Sequence, residues 1–236
     1  MKGWTLAGLL MATPVAAILA APAAAQNWNA NYERTEQGHR IGNPDADIAI
    51  VEFASYTCPH CASFERDAEA ELRYFYIHEG TASFELRHYL FNIVDVAAVL
   101  VTECGPEENF FGNHRAMLLA QPEWRATLHG LSQAQQQRYA NPDFGSAMRA
   151  IASDLDWYAL MEPRGYTRTQ LDQCLGDRDR ASAIVAEAEA NAAEFGINST
   201  PSFVVDGTVL EEVHNWPLLR QALAVIRQGL PVESGE

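Results

Sequence analysis

Basic side chains are scarce in this chain: 16 Lys plus Arg stand against 31 Asp plus Glu in 236 residues, for a formal net charge of −15. A surface of that sign repels phosphate backbones, so a nucleic-acid partner is not expected. It excludes little else, because dispersed acids such as Glu187, Glu189 and Glu194 are what the solvated face of a helix carries. Long apolar runs are lacking beyond the first 25 residues, and no later segment approaches the ~20 residues that span a bilayer as a helix. No internal repeat or low-complexity linker divides the chain. Cysteine is sparse as well, limited to Cys58, Cys61, Cys104 and Cys174. Only the first two are close in sequence, and no second Cys-x-x-Cys or His-x₃₋₅-His pair accompanies them. Structural zinc commonly takes two such pairs, and His60, inside the motif, cannot easily bind a metal shared by its neighbours. No metal is therefore predicted. Haem attachment is excluded because Ala62, not histidine, follows Cys61.

What is present begins with a leader. Lys2, the apolar stretch "LAGLLMATPVAAILA" broken by Pro14, and the small residues of "APAAAQ" have the layout of a secretory signal peptide over residues 1–25. Ala23 and Ala25 bracket the expected cut before Gln26. The apolar core is too short and interrupted for an anchor, and no cysteine follows the cut to carry a lipid. About 210 residues then remain for export, the size of one elaborated domain or two small ones. In an oxidising compartment an even number of cysteines suggests pairing, here one local pair and one long-range pair.

Along the mature chain, residues 26–40 are polar and without period, and are expected to form an N-terminal arm. The turn signal Asn43-Pro44-Asp45 leads into a β-branched apolar run from Ile48 to Phe53, the pattern of a strand buried on both faces. From Ala62 to about Glu79 the spacing of Phe64, Ala68, Leu72, Phe75 and Tyr76 predicts a helix with one apolar face, stopped at Gly80. Residues 82–91 predict the next strand. From Asp95 to about Phe195 only helical patterns occur, separated by Gly105-Pro106, Pro122, Asn141-Pro142 and Pro163-Arg164-Gly165. "PSFVVDG" and "TVLEEV" then predict a hairpin turning at Asp206-Gly207, and a helix from about Trp216 to Gln228 follows. The two strand-bearing parts are each too small to hold a core alone. One α/β domain over 41–94 and 196–236, with an all-helical insertion over 95–195, is the arrangement that serves both.

The chemistry concentrates in "TCPHCASF", Thr57 to Phe64. A disulfide across two intervening residues closes a very small loop and removes little entropy from the unfolded chain, so a purely structural bridge fits poorly. Placed where a strand gives way to a helix, Cys58 would face unpaired backbone N–H groups and the positive end of the helix dipole, both of which favour thiolate. Pro59 suits the first helical turn, and His60 could stabilise the thiolate further. Cys61, one turn on and more buried, would be the resolving thiol. A stabilised thiolate makes the reduced form favourable and the disulfide oxidising. Glu52, in the middle of a buried strand, should have a raised pKa and could pass a proton to or from Cys61.

Taken together, "GNPDADIAIVEFASYTCPHCASF", the helical insertion and "GINSTPSFVVDG" resemble the DsbA-like branch of the thioredoxin superfamily over nearly the whole mature chain. The resemblance implies a thioredoxin fold, with Cys58 as attacking and Cys61 as resolving sulfur. It implies a cis Pro201 beside them, with the Thr200 backbone free to pair with an extended substrate strand. It also implies a structural disulfide between Cys104 and Cys174. The function that follows is a periplasmic thiol:disulfide oxidoreductase that oxidises reduced or unfolded exported proteins. It would be monomeric, need no cofactor and be recycled by a membrane partner of the DsbB type. The alternatives are a reductase or isomerase of the same fold, or a redox-inactive chaperone for unfolded chains. A dimeric isomerase usually has its own dimerisation domain, for which the span between Gln26 and the first predicted strand lacks room.

Overall fold

The computed structural model describes residues 27–229, so the leader expected at 1–25 lies outside the described residues. At the centre of the sheet is β3 (Ile48–Ala54), between β4 (Ala82–His88) on one side and β5 (Ser202–Val205) on the other. β3 and β4 run parallel. A parallel pair needs a crossover, which α1 (Pro59–Leu72) provides. β6 (Thr208–Leu210) returns antiparallel to β5 through Asp206 and Gly207, both at positive φ (49° and 80°), the backbone a tight two-residue hairpin demands.

The N-terminal segment departs from expectation. Residues 26–40, polar enough to suggest an arm, contain β1 (Tyr32–Arg34), and β2 (His39–Gly42) starts within them. These strands extend the sheet to the order β1-β2-β4-β3-β5-β6. Strands of three and four residues are too short to show an alternation, so polarity alone misleads here. Gly38 belongs to the turn between them because β4 passes very close. A Cβ at that position would lie 2.1 Å from the Leu86 carbonyl oxygen.

The two faces of the sheet bury different partners. Ile48, Ile50 and Ala54 of β3 join Phe203 and Val205 against Phe64, Ala68 and Leu72 of α1. α10 (Trp216–Ile226) packs there through Trp216, Leu219 and Leu223. On the opposite face Phe53 and Val204 meet Ile197, Ala192 and Phe195, so the end of α9 (Arg178–Phe195) covers that side. Gly196, at φ 67°, stops α9 in a left-handed conformation that glycine adopts without strain.

Between β4 and β5 the described chain is helical: α2 (Ile93–Thr102), α3 (Phe110–Leu119), α4 (Gln121–Gly130), α5 (Gln133–Arg138), α6 (Phe144–Asp154), α7 (Trp157–Met161), α8 (Arg168–Leu175) and α9. They share a second core around Leu100, Met117, Met148, Ile151, Trp157, Met161 and Leu175. Tyr56 and Ala62, from the segment that begins α1, are part of that core. The Cys104–Cys174 disulfide joins the end of α2 to α8, with Cα atoms 5.7 Å apart and 70 positions between them in sequence.

One junction between sheet and helical block is made by a single carboxylate. Asp95, fully buried, accepts from Ser55 Oγ (2.7 Å), Thr57 N (2.9 Å), Thr57 Oγ1 (3.0 Å), Phe91 N (2.9 Å) and Asn92 N (3.2 Å). Asn92 and Asp95 thereby form a capping box at the start of α2 while the same Asp95 holds the loop before α1. Burial raises the Asp95 pKa, against the pull of these donors.

Two outcomes follow for stability. Asp95→Asn keeps the shape but turns two acceptor sites into donors facing N–H and O–H groups, and is expected to cost about 2–4 kcal/mol in urea denaturation. Replacing Cys104 and Cys174 together by alanine is expected to cost about 2–4 kcal/mol, through the long loop the bridge closes. That double variant should leave the reactivity of Cys58 toward an alkylating reagent unchanged.

Candidate active site

β3 ends at Ala54, and three residues carry the chain to Cys58, whose backbone is extended (φ −81°, ψ 117°) at the N-cap of α1. Pro59 fills the first helical position, where a missing N–H leaves no bond unmade. The side chain of Cys58 therefore sits over the unpaired N–H groups that open α1. Its carbonyl and that of Tyr56 each accept from Gln121 Nε2 at 2.7 Å, an amide sent from the start of α4. Tyr56 itself is anchored by its hydroxyl, 3.0 Å from both Thr102 Oγ1 and His114 Nδ1. The cysteine is thus fixed from below by the helical block and from the side by Asp95.

The two thiols are free and have opposite surroundings. Cys58 is 7% exposed and its thiol is pulled from 9.0 to about 5. The Cys61 thiol is the main cause, and the Thr200 side chain and the backbone N–H groups of Cys61 and His60 add to it, against the effect of burial. As a neutral thiol, Cys58 donates to the Thr200 carbonyl at 3.2 Å. The buried Thr200 hydroxyl has no other partner and is free to turn to the sulfur once the proton is gone. Cys61, fully buried, is pushed well above its ordinary value by burial, by its donation to Cys58 and by negative charge on Cys58 and, when it is ionised, on Glu52.

Glu52 lies on the β3 face that α1 covers and is 1% exposed. Burial raises its pKa well above the usual carboxylate range, and the charges of Glu65 and Cys58 raise it further. Pro59 and His60 are exposed at the rim. His60 touches the chemistry through its backbone N–H, while its ring stands at the surface. The Thr200-Pro201 peptide is cis, and the turn that carries it brings Thr200 against Cys58. The structure thus brings Glu52, Cys58, Pro59, His60, Cys61, Thr200 and Pro201 to one place, and leaves Cys104 and Cys174 in the helical block.

Several residues of the site carry no recognisable motif. Gln121 stands beside Pro122 at a helix start and gives no sign of reaching back to Cys58. Glu65, one turn past Cys61, is pushed up to about 7 by burial and by Glu69, against Arg115 at 3.5 Å. Its spacing from Cys61 is a usable signal, since i and i+4 share a helix face. Asp95 was legible as the end of an Asn-x-x-Asp box before an apolar run, though not as a support for the loop before Cys58.

With this geometry the chain can be set beside known proteins. A sequence profile described as Thioredoxin matches residues 34–224. A solved protein-disulfide isomerase from Novosphingobium aromaticivorans is 36% identical, with a TM-score of 0.77 over 80% of this chain and 97% of that one. The Wolbachia pipientis protein alpha-DsbA1 shares the fold at 20% identity, with a TM-score of 0.61 over 80% and 88% of the two chains. A Rickettsia conorii protein provisionally named a protein-disulfide oxidoreductase is 25% identical over 167 residues, 71% of this chain and 52% of its own length. The chain spans about half the length of the curated relatives it matches first. With a profile match across most of its length and the two-cysteine helix start in place, the chain belongs to the thioredoxin family and has the fold of its DsbA-like members.

Proposed function

We propose that the chain is a protein-disulfide oxidoreductase that passes a disulfide held by Cys58 and Cys61 to the thiols of other proteins. The observation that supports this most directly is the inequality of the two thiols, one held near pH 5 and the other well above 9.0. A substrate thiolate attacks the Cys58 sulfur, the Cys58–Cys61 bond breaks, and Cys61 leaves with the electron pair. Glu52, kept protonated by burial, gives a proton toward Cys61. A second substrate thiolate attacks the substrate sulfur of the mixed disulfide, and Cys58 leaves as the thiolate that its surroundings stabilise. The substrate gains one disulfide and the protein is left with one thiolate and one thiol. Because that reduced form is favoured, the disulfide is a strong oxidant.

The substrate is an extended segment pairing with the Thr200 backbone beside Pro201. The setting is the periplasm, reached through the leader at 1–25, and a membrane protein of the DsbB type reoxidises a monomeric enzyme. No helix among the described residues is long and apolar enough to cross a membrane. Isomerisation is the second candidate, favoured by the description of the Novosphingobium protein, 36% identical, as an isomerase. Trapping the thiols in living cells by alkylation separates the two: a mainly oxidised pool fits the oxidase, and a mainly reduced pool overturns it.

Cys58→Ser is expected to lower peptide oxidation and insulin reduction by at least about 100-fold, and survival of either activity would remove the assignment. In the reduced protein, thiolate absorbance should titrate near pH 5, and alkylation of Cys58 should be flat above pH 6 and fall below 5. A folded-state pKa below the unfolded 9.0 stabilises the reduced form fully above pH 9, and this is lost as pH falls toward 5. Glu52→Gln is expected to slow formation of the mixed disulfide, the step in which Cys61 leaves, by about 10- to 100-fold while leaving the Cys58 titration within about one unit.

A further inference from the structure

Away from the cysteines, three ligating side chains converge from distant segments. His39 opens β2, His88 ends β4, and Glu103 follows α2. One donor atom of each lies within 4.8 Å of the others, and all three side chains are at least nine-tenths buried. His39 Nε2 is 3.0 Å and His88 Nε2 3.6 Å from the same oxygen, Glu103 Oε1. Neighbouring ligands around a tetrahedral ion with bonds of about 2.0–2.1 Å stand about 3.3 Å apart, so the observed spacings bracket that value.

Three further features separate this cluster from an ordinary buried ion pair. His88 Nε2 is buried, aimed at the carboxylate and without a hydrogen-bond partner, a state that buried ring nitrogens rarely keep. The His39 ring is fixed in orientation by stacking on Phe110, with centroids 3.5 Å apart and planes 8° from parallel. Glu103 is oriented in turn by Arg180, whose Nε donates to Oε2 at 2.6 Å and whose Nη2 donates to Oε1 at 2.9 Å. Hydrogen bonds from outside the ligand set are how metal sites hold their carboxylates in place.

We propose that His39, His88 and Glu103 form a site for a divalent transition-metal ion, zinc before others. Two imidazoles and a carboxylate suit zinc, copper or nickel, whereas magnesium and calcium require a fuller set of oxygens. Arg34, whose Nη1 is 3.1 Å from Glu103 Oε1, would have to move. It is one-third exposed and already 3.4 Å from Glu187, which offers it a second partner. The ion would cross-link β2 and β4 to the end of α2, joining the sheet to the helical block behind Tyr56, whose ring lies 6.0 Å from His88.

The test uses tag-free protein carrying Cys58→Ser and Cys61→Ser, so that the active-site thiols cannot take the metal. Zinc chloride titrated by calorimetry should give one site per chain, and excess zinc should raise the thermal midpoint by several degrees, with magnesium giving no rise. His88→Gln and His39→Gln, each checked for an unchanged far-ultraviolet spectrum without zinc, should each weaken zinc binding by at least about tenfold. Absence of zinc binding, or binding that survives unchanged in both variants, would overturn the proposal and leave the cluster as a buried ion-pair network.

Discussion

One buried carboxylate holds the two halves of this structure in register. Asp95 gathers donors from the loop before Cys58 and from Phe91 and Asn92 just ahead of α2, so the sheet and the helical block are referred to a single point. A buried anion without such partners would be very unfavourable, and with them it leaves the loop few alternatives. Gln121 continues the same logic by donating from the helical block to the backbone of the active-site loop, and the Tyr56 hydroxyl reaches from that loop to Thr102 in the block. The position of the Cys58 sulfur is therefore the result of contacts made well away from it.

The two cysteines differ first because the Cys61 thiol donates to the Cys58 sulfur, and helix geometry adds to the difference. Cys58, at the N-cap, looks onto N–H groups that no carbonyl occupies. Cys61, one turn along, looks inward onto the sheet and Glu52. The same element thus stabilises one sulfur as an anion and suppresses ionisation of the other. Glu52 adds to the difference because β3 alternates, which places it on the α1 face among Ile48, Ile50 and Ala54.

Much of this was legible in sequence because it is local. Pro59 at a helix start, Gly196 after α9 and the Asp206-Gly207 turn are chemical statements made within a few residues, and each corresponds to the local structure it suggests. Strands β1 and β2 were missed because three or four residues carry no period, and β2 takes its place in the sheet from β4, which lies more than forty positions away. Gln121 and the His39–His88–Glu103 cluster were missed for a related reason. Their partners are set by tertiary packing, and no spacing along the chain records it.

The edges of the sheet have a meaning of their own. β1 and β6, the outermost strands, are three residues each, while β3 and β4 inside are seven. An edge of that length offers a passing chain few free N–H and C=O groups with which to extend the sheet. A protein that meets unfolded chains at Thr200 would then offer them backbone pairing beside the sulfur and little elsewhere, so that contact is short, chemically productive and unlike the start of an aggregate.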